Sequence, residues 1–236
     1  YTIGKKILFP ICRSLTGIGV KKTLAVIKKE FPKLKIKKIK SGTKVFDWKV
    51  PPEWNIRDAY VLDPLGKKII DFKRNNLHLV GYSTSVNSTL TLKNLLNKIH
   101  FLKKQPKAIP YVTSYYKRRW GFCINYKYKK QIEKKYKLKD KFKILIDSKH
   151  YNNGNLTYGE LILKGKSNQE ILISTYICHP SMANNEISGP SVLTYIAKWL
   201  SNNRKRKYTY RILFLSETIG AISYIHKNIK SLKKML

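Results

Sequence analysis

The chain has 236 residues, 42% of them hydrophobic, and a formal net charge of +36 from 49 Lys and Arg against 13 Asp and Glu. That apolar share is ample for a buried core in one large domain or two smaller ones. Cys12, Cys123 and Cys178 are far apart and lack CxxC spacing, which excludes a zinc ribbon and a disulfide framework, and no apolar run approaches the ~18 residues of a membrane span.

So large a basic excess points first to nucleic acid or an anionic surface. The lysines, however, spread through every segment. The two sharpest runs, Arg204 to Lys207 and Lys127 to Lys141, read as solvated faces. Nucleic acid is therefore not the expected partner, and no membrane partner is expected. The apolar part of YTIGKKILFPIC is too short for a signal peptide, so a cytoplasmic location is expected.

In chain order, Val20, Leu24, Ile27 and Phe31 share one helical face, with Thr16 placed to cap the start and Pro32 to end it. LKIKKIKSG then suggests a strand. From about Thr43 the character changes to short extended runs between turn signals. Asp63-Pro64-Leu65-Gly66 reads as a tight turn between two strands. Leu92, Leu95, Leu96, Ile99 and Leu102 predict one helix over Thr91 to Lys103. Trp48, Trp54, Trp120, Tyr115 and Tyr116 are either a small core or a recognition surface. FKILID and LTYGELIL flank Asn152-Asn153-Gly154-Asn155, the pattern of a hairpin.

The most informative stretch is EILISTYICHPSMANNEISG, Glu170 to Gly189. Its uncharged run Ile171 to Cys178 has the pattern of a strand buried on both faces of a parallel sheet. Val192, Leu193, Ile196, Ala197 and Leu200 then recur at helical spacing. A second strand, RILFL, ends in Ser216-Glu217 and is followed by a helical stretch from Ile219 to Ile229. Strand, helix, strand, helix implies a parallel sheet, in which ligands bind beyond the carboxyl ends of the strands. His179 and Glu217 occupy two such ends, and Asn184, Asn185 and Glu186 precede the helix between them, so all five can face one crevice.

Together with PICRSLTG, SGTKVFDWKVPPEWNIRDAYV, AIPYVTSYYKRRWGFC and FLSETIGAISYI, the motif ISTYICHPSMANNEISGP resembles a bacterial aminopeptidase-like family with an inserted domain of unknown function. More broadly, the order His, polar loop, Glu resembles the zinc-dependent aminopeptidases of leucine-aminopeptidase type. The resemblance runs over essentially the whole chain. It implies an α/β fold of the aminopeptidase/phosphorylase type, with a mostly parallel sheet and flanking helices. Residues 1–42 and 142–236 would form this domain, incomplete at its C-terminus, and residues 43–141 a mostly β inserted domain. The remaining family ligands, a carboxylate and a His, would lie beyond Leu236.

The resemblance also implies site roles. His179 matches a metal ligand and Glu217 matches the general base. Asn185 stands where the family has a bridging Asp, and its neutral amide cannot act as a bridging carboxylate. Thr218 stands where a metal-binding carboxylate is expected, and Glu186 could substitute if the loop shifts register. Asn184 would shape the site, and Arg13 could contact an anionic group of a substrate. Zinc is the implied cofactor and a peptide-like small molecule the implied substrate. The expectation is a metal-dependent hydrolase of peptide or amide bonds. The alternatives are an inactive binding protein on the same fold, which Asn185 and Thr218 favour, and a basic nucleic-acid-binding module.

Overall fold

The computed structural model describes residues 2–203 and 205–233, so Arg204 of the RKRK run lies outside the described residues. By internal contacts the chain divides into two compact units, residues 1–53 with 151–236, and residues 54–150. The strands are β1 (Lys35–Lys40), β2 (Lys44–Val45), β3 (Trp48–Lys49), β4 (Glu53–Leu62), β5 (Lys68–Asp71) and β6 (Val86–Thr91). They continue with β7 (Ile99–His100), β8 (Phe122–Cys123), β9 (Lys141–Tyr151), β10 (Asn155–Leu163), β11 (Glu170–Tyr176) and β12 (Thr209–Leu215). The helices are α1 (Ile18–Glu30), α2 (Leu92–Leu96), α3 (Tyr126–Lys135), α4 (Ser188–Asn202) and α5 (Ile219–Leu232), with wide π-type turns at Ile3–Leu8 and Ala183–Ile187. No helix among the described residues is long and apolar enough to cross a membrane.

The first unit is built on a four-stranded sheet in the order β1-β10-β12-β11. Alternation along β10 sorts its two faces. Leu161 and Leu163 join Val20, Leu24 and Ile27 of α1, Leu193, Ala197 and Leu200 of α4, and Ile212 and Phe214 of β12 in one apolar core. Gly159 points the same way, and a Cβ there would meet Leu24 Cδ2 at 2.8 Å. On the opposite face Glu160 is buried in a polar network. Arg211 Nη1 donates to Glu160 Oε1 at 2.9 Å, Tyr224 Oη donates to the same oxygen at 2.7 Å, and Lys37 Nζ bonds the second oxygen. Arg211 also clamps Glu170 through two bonds of 2.7 and 3.1 Å. A carboxylate survives burial there because both of its oxygens have cationic or hydroxyl donors.

Three expectations for this unit change. The sheet is mixed and largely antiparallel, since β1 and β12 both run antiparallel to β10 and only β11 and β12 pair in parallel. Strand, helix, strand at β11-α4-β12 is locally right, but it says nothing about the partners β12 takes on its other side. β11 is an edge strand rather than one buried on both faces, and Leu172 is 42% exposed. Finally, Gly17 is the N-cap residue of α1, and its φ of +96° suits glycine. Thr16 donates its hydroxyl to Pro52 O at 3.4 Å instead of capping the helix.

The Asn152-Gly154 turn does not close a hairpin, because β9 pairs with β6 in one sheet and β10 with β1 and β12 in another. The turn is pinned from outside the two strands: Ser41 N donates to Gly154 O at 2.9 Å and Asn155 N to Glu53 Oε2 at 3.0 Å. A Cβ on Gly154 would fall 2.2 Å from that of Glu53, so only glycine permits the approach.

The second unit carries a sheet in the order β5-β4-β9-β6. Phe142, Ile144 and Ile146 alternate into its core, each 0% exposed. The aromatic residues include core members. Trp54 stacks on Tyr82 at 5.6 Å and donates Nε1–H to Ser83 O at 3.0 Å, and Tyr115 meets Tyr82 edge-on. The helix expected over Thr91 to Lys103 is cut to Leu92–Leu96. Thr91 caps it through Asn94 N, and Ile99–His100 leave to pair with Phe122–Cys123. A strand partner distant in sequence overrides the helical period there.

Asp63 fixes the β4-β5 turn. Its Oδ1 accepts from Leu65 N at 3.0 Å and Lys67 N at 2.8 Å, and its Oδ2 accepts from Tyr136 Oη at 2.7 Å. Burial raises the Asp63 pKa, but the Tyr136 bond and the two amide bonds outweigh it and hold the pKa below its ordinary value. A depressed carboxylate pKa stabilises the fold above the unfolded-state value of ~3.9 and loses that contribution as pH falls through the folded value. Asp63→Asn should therefore cost about 2 kcal/mol at pH 7 in urea unfolding and much less near pH 3. An equal loss at both pH values would contradict this assignment.

The two edges of the first sheet differ. β1 carries Lys35, Lys37, Lys38 and Lys40, which guard it against edge pairing, whereas β11 reads EILISTY. Beside β11, α4 exposes Val192, Tyr195 and Trp199 at 57, 75 and 62%. Leu172→Lys should lower concentration-dependent self-association in light scattering. No change would show that the β11 edge does not drive it.

Candidate metal centre

Pairing between β11 and β12 runs from Glu170↔Thr209 to Tyr176↔Leu215. It continues one bond further, as Ile177 N donates to Leu215 O at 2.9 Å. The two strands therefore end level, and Cys178-His179 and Ser216-Glu217 emerge side by side. Ser216 Oγ donates to Leu15 O at 2.5 Å, and Glu217 N–H points to Cys178 Sγ at 3.2 Å. The backbone then turns sharply: Thr218 has φ +54° and Ser181 φ +38°. For a β-branched residue such as Thr218 this conformation is strained, and strain of this kind collects at functional sites.

His179 lies between two carboxylates. Its Nδ1 is 2.9 Å from Glu186 Oε2 and its Nε2 is 3.3 Å from Glu217 Oε2. The two partners differ in environment, since the Glu186 side chain is 0% exposed and that of Glu217 49%. Tyr176 packs edge-on against the imidazole at 5.7 Å.

The Ala183–Ile187 turn decides which loop residue faces in. Ser188 N closes it onto Ala183 O, which leaves Asn184 and Asn185 exposed and turns Glu186 inward. Gly189 then lets α4 start hard against β11, where a Cβ would lie 2.4 Å from Thr175 Oγ1. Arg13 reaches Glu186 from the other side. It is 2% exposed, its Nη1 donates to Leu8 O at 2.5 Å, and its Nε stands 3.6 Å from Glu186 Oε1. At that distance the contact is an ion pair rather than a hydrogen bond, and Glu186 Oε1 and Arg13 Nη2 accept and donate none. Burial pushes the Glu186 pKa up, against the opposing pull of His179 and Arg13, and burial lowers that of Arg13. Burial also pushes the Cys178 thiol well above its ordinary value.

Cys178 Sγ, His179 Nδ1 and a Glu186 oxygen lie within 4.8 Å of one another. They nonetheless fit a metal ion poorly. Nδ1 and Oε2 already bond each other, Cys178 Sγ takes the Glu217 amide, and the Arg13 guanidinium already supplies positive charge against Glu186. The outward side fits better. There His179 Nε2 could serve as one of the roughly three protein ligands of a catalytic zinc, and Glu217 Oε2 stands 3.3 Å from it.

The structure thus brings together His179, Glu186, Glu217 and Arg13, and leaves the Asn184 and Asn185 side chains on the surface. Arg13 is spent on Glu186 inside the protein rather than offered to a substrate. Sequence reading named Arg13 and Glu186 but missed their pairing, and a single Arg within PICRSLTG gives no sign of its partner 173 positions away. Elsewhere His78 donates Nδ1–H to Cys123 O, and His226 packs against Phe46.

The family described as "Domain of unknown function (DUF4910)" matches residues 2–236. The chain belongs to this family. It is 49% identical, over 97% of its length, to a Clostridium acetobutylicum protein named as a candidate polysaccharide-biosynthesis protein with an aminopeptidase-like domain. A crystal structure of a candidate peptidase from the same organism superposes with a TM-score of 0.92 at 48% identity over 98% of the chain. The chain spans about half the length of these relatives, 51% and 53%. More distant structures share the fold at 12% identity. A zinc aminopeptidase from Bacillus subtilis has a TM-score of 0.56, with 99% of this chain and 65% of that one covered. An M28 peptidase precursor from Shewanella amazonensis has a TM-score of 0.59, with 100% and 69% covered. The DUF4910 chain is thus an aminopeptidase-like α/β protein.

Gly19 tests how the Arg13 segment is held. A Cβ there would fall 1.9 Å from Cys12 O, a backbone atom that cannot swing away. Gly19→Ala should lose about 2–3 kcal/mol in chemical denaturation. Alanine would otherwise stabilise an exposed helix by about 1 kcal/mol, so an unchanged or raised midpoint would refute the close approach.

Proposed function

We propose that the chain carries the His179–Glu217 portion of a metal-dependent, aminopeptidase-like hydrolase acting on peptide or amide bonds. The observation that supports this most is the outward convergence of His179 Nε2 and Glu217 Oε2 at 3.3 Å, beyond two parallel strand ends. The aminopeptidase-like name of the C. acetobutylicum relative points the same way.

Zinc, when bound, would supply Lewis-acid polarisation of the scissile carbonyl and a water of lowered pKa. His179 would hold it through Nε2. Glu217 is half-exposed and beside that nitrogen, so its carboxylate can take the proton of the attacking water and return it to the leaving amine. The Glu217 amide, held by Cys178 Sγ, keeps that carboxylate at the end of β12. Arg13 and Glu186 stay behind the imidazole, away from substrate.

A second reading, a binding protein that keeps the fold without the chemistry, is favoured by Asn185 and Thr218, which put an amide and a hydroxyl where the resemblance has carboxylates. Assays on aminoacyl anilides and on N-acylated amino sugars, with zinc calorimetry alongside, separate the two. The hydrolase reading expects Glu217→Gln to cut kcat by about 10²–10⁴-fold with zinc binding retained, and His179→Ala to abolish zinc binding. Zinc binding without turnover of either substrate class would support the binding protein. Failure of the chain to bind zinc would sink the metal site.

A further inference from the structure

We propose that Lys98, His100 and Arg119, gathered around Trp120 in the second unit, form a binding site for a small organic anion, a phosphate ester or a carboxylate. The site is independent of the metal centre, and no part of it uses His179 or Glu217.

The β7-β8 ladder brings these residues together. Phe122 N donates to Lys98 O at 2.8 Å and Ile124 N to His100 O at 3.0 Å, so the chain leading from Arg119 into β8 lies along the chain from Lys98 to His100. Gly121 permits the approach, since a Cβ there would stand 2.8 Å from Lys98 O and 3.3 Å from His100 Nε2. Thr84 N donates to Arg119 O and Val80 N to Gly121 O, both at 3.1 Å, which holds the segment on another side. The Trp120 ring meets the buried Phe122 edge-on at 6.4 Å, and Lys98 Nζ lies over the indole at 5.2 Å, within cation–π reach. The cations are therefore carried by backbone and rings that are already in place before a ligand arrives.

Arginine carries more information here than lysine. Eight of the 49 lysines and arginines are arginine, so lysine is the ordinary surface cation of this chain. Arg13, Arg57 and Arg211 each meet a carboxylate, and Arg206 binds the carbonyls of Leu200 and Asn203. Arg119 is exposed and donates from Nη2 to Thr113 O at 2.7 Å, a bond that fixes the guanidinium at one corner. Its other N–H groups have no partner among the described residues, and no carboxylate there lies within ion-pair distance of Arg119 or Lys98. A planar fork held in this way matches the paired oxygens of a carboxylate or phosphate.

His100 stands among the same cations. Burial lowers its pKa and Arg119 lowers it further, with no acidic group opposing them. The ring is thus neutral near pH 7 and offers one N–H donor. The result is a patch of positive potential with no internal anion to balance it, which a bound anion would neutralise. Nucleic acid fits the place less well. A single strand needs free ring faces for successive bases and cations along a groove, whereas Lys98 already covers a face of Trp120.

The test is titration of the whole chain with phenyl phosphate, benzoate and the neutral benzyl alcohol, read by calorimetry and by amide NMR shifts. It is run at about 0.15 M salt, where charges more than ~8 Å apart are largely screened. At least one of the two anions should bind saturably, with shifts confined to residues 98–100 and 113–121, and benzyl alcohol should not bind. Tighter binding of phenyl phosphate assigns the site to phosphate esters and tighter binding of benzoate to carboxylates, and either supports the proposal. Arg119→Ala and Lys98→Ala should each weaken the affinity about tenfold, and Arg119→Lys should recover part of the loss. Should Arg119→Ala disturb the loop that it ties to Thr113, Lys98→Ala keeps that tie and still reads the site. Arg74→Ala, which removes an exposed arginine elsewhere in the same unit, should leave the affinity unchanged. Failure of both anions to bind saturably would overturn the proposal. So would an equal loss in Arg74→Ala, which would reduce the effect to net charge, or tighter binding of a single-stranded oligonucleotide at the same residues.

Discussion

Level termination of two parallel strands is the constraint on which the site depends. β11 and β12 pair without slippage from Glu170↔Thr209 to Tyr176↔Leu215. A one-residue shift would turn every side chain of one strand to the opposite face. Because the register is fixed by the apolar core beneath, with Ile212, Phe214 and Ile177 among its members, packing far from the chemistry decides that His179 and Glu217 meet. The strained backbone at Thr218 and the bond from Glu217 N to Cys178 Sγ are the local means of turning that register into a contact.

Buried charge is handled in two different ways on this scaffold. Around Glu160, Arg211, Lys37 and Tyr224 donate to both carboxylate oxygens, and the network knits β1, β10, β12 and α5 together. Around Glu186 the charges are matched but the bonds are not, since Glu186 Oε1 and Arg13 Nη2 remain unbonded. A saturated network stabilises. An unsaturated one next to a histidine leaves the charges free to act on the imidazole, which is why the Arg13–Glu186 pair reads as part of the site and the Glu160 cluster as part of the frame.

Local patterns in the sequence were reliable where one segment supplied the partners that set its own backbone. The β4-β5 turn is legible because Asp63 bonds the amides of Leu65 and Lys67, both within four residues. α4 and α5 are legible because their apolar residues recur on one face. The pattern misled where a distant partner intervened. Thr91 to Lys103 has the spacing of one helix, yet Ile99 leaves to pair with Phe122. Asn152 to Asn155 has the composition of a hairpin, yet Ser41 and Glu53 take its backbone groups, and the strands on either side enter different sheets. Parallel order was inferred from one strand-helix-strand unit and does not extend past it.

The sequence by itself determined which residues could do chemistry. A His at one strand end, a Glu at the next and a polar loop between them are facts of order, and order survives folding. Only the tertiary structure decided how those residues are used. It put Glu186 inside and Asn185 outside because a π-type turn, not the sequence around it, sets which side chain faces the core. It spent Arg13 on Glu186 because long-range packing of α1 against the Cys12–Arg13 backbone delivers the guanidinium there. Electrostatic pairing across 173 positions depends on where the chain returns, and composition and periodicity carry no record of that.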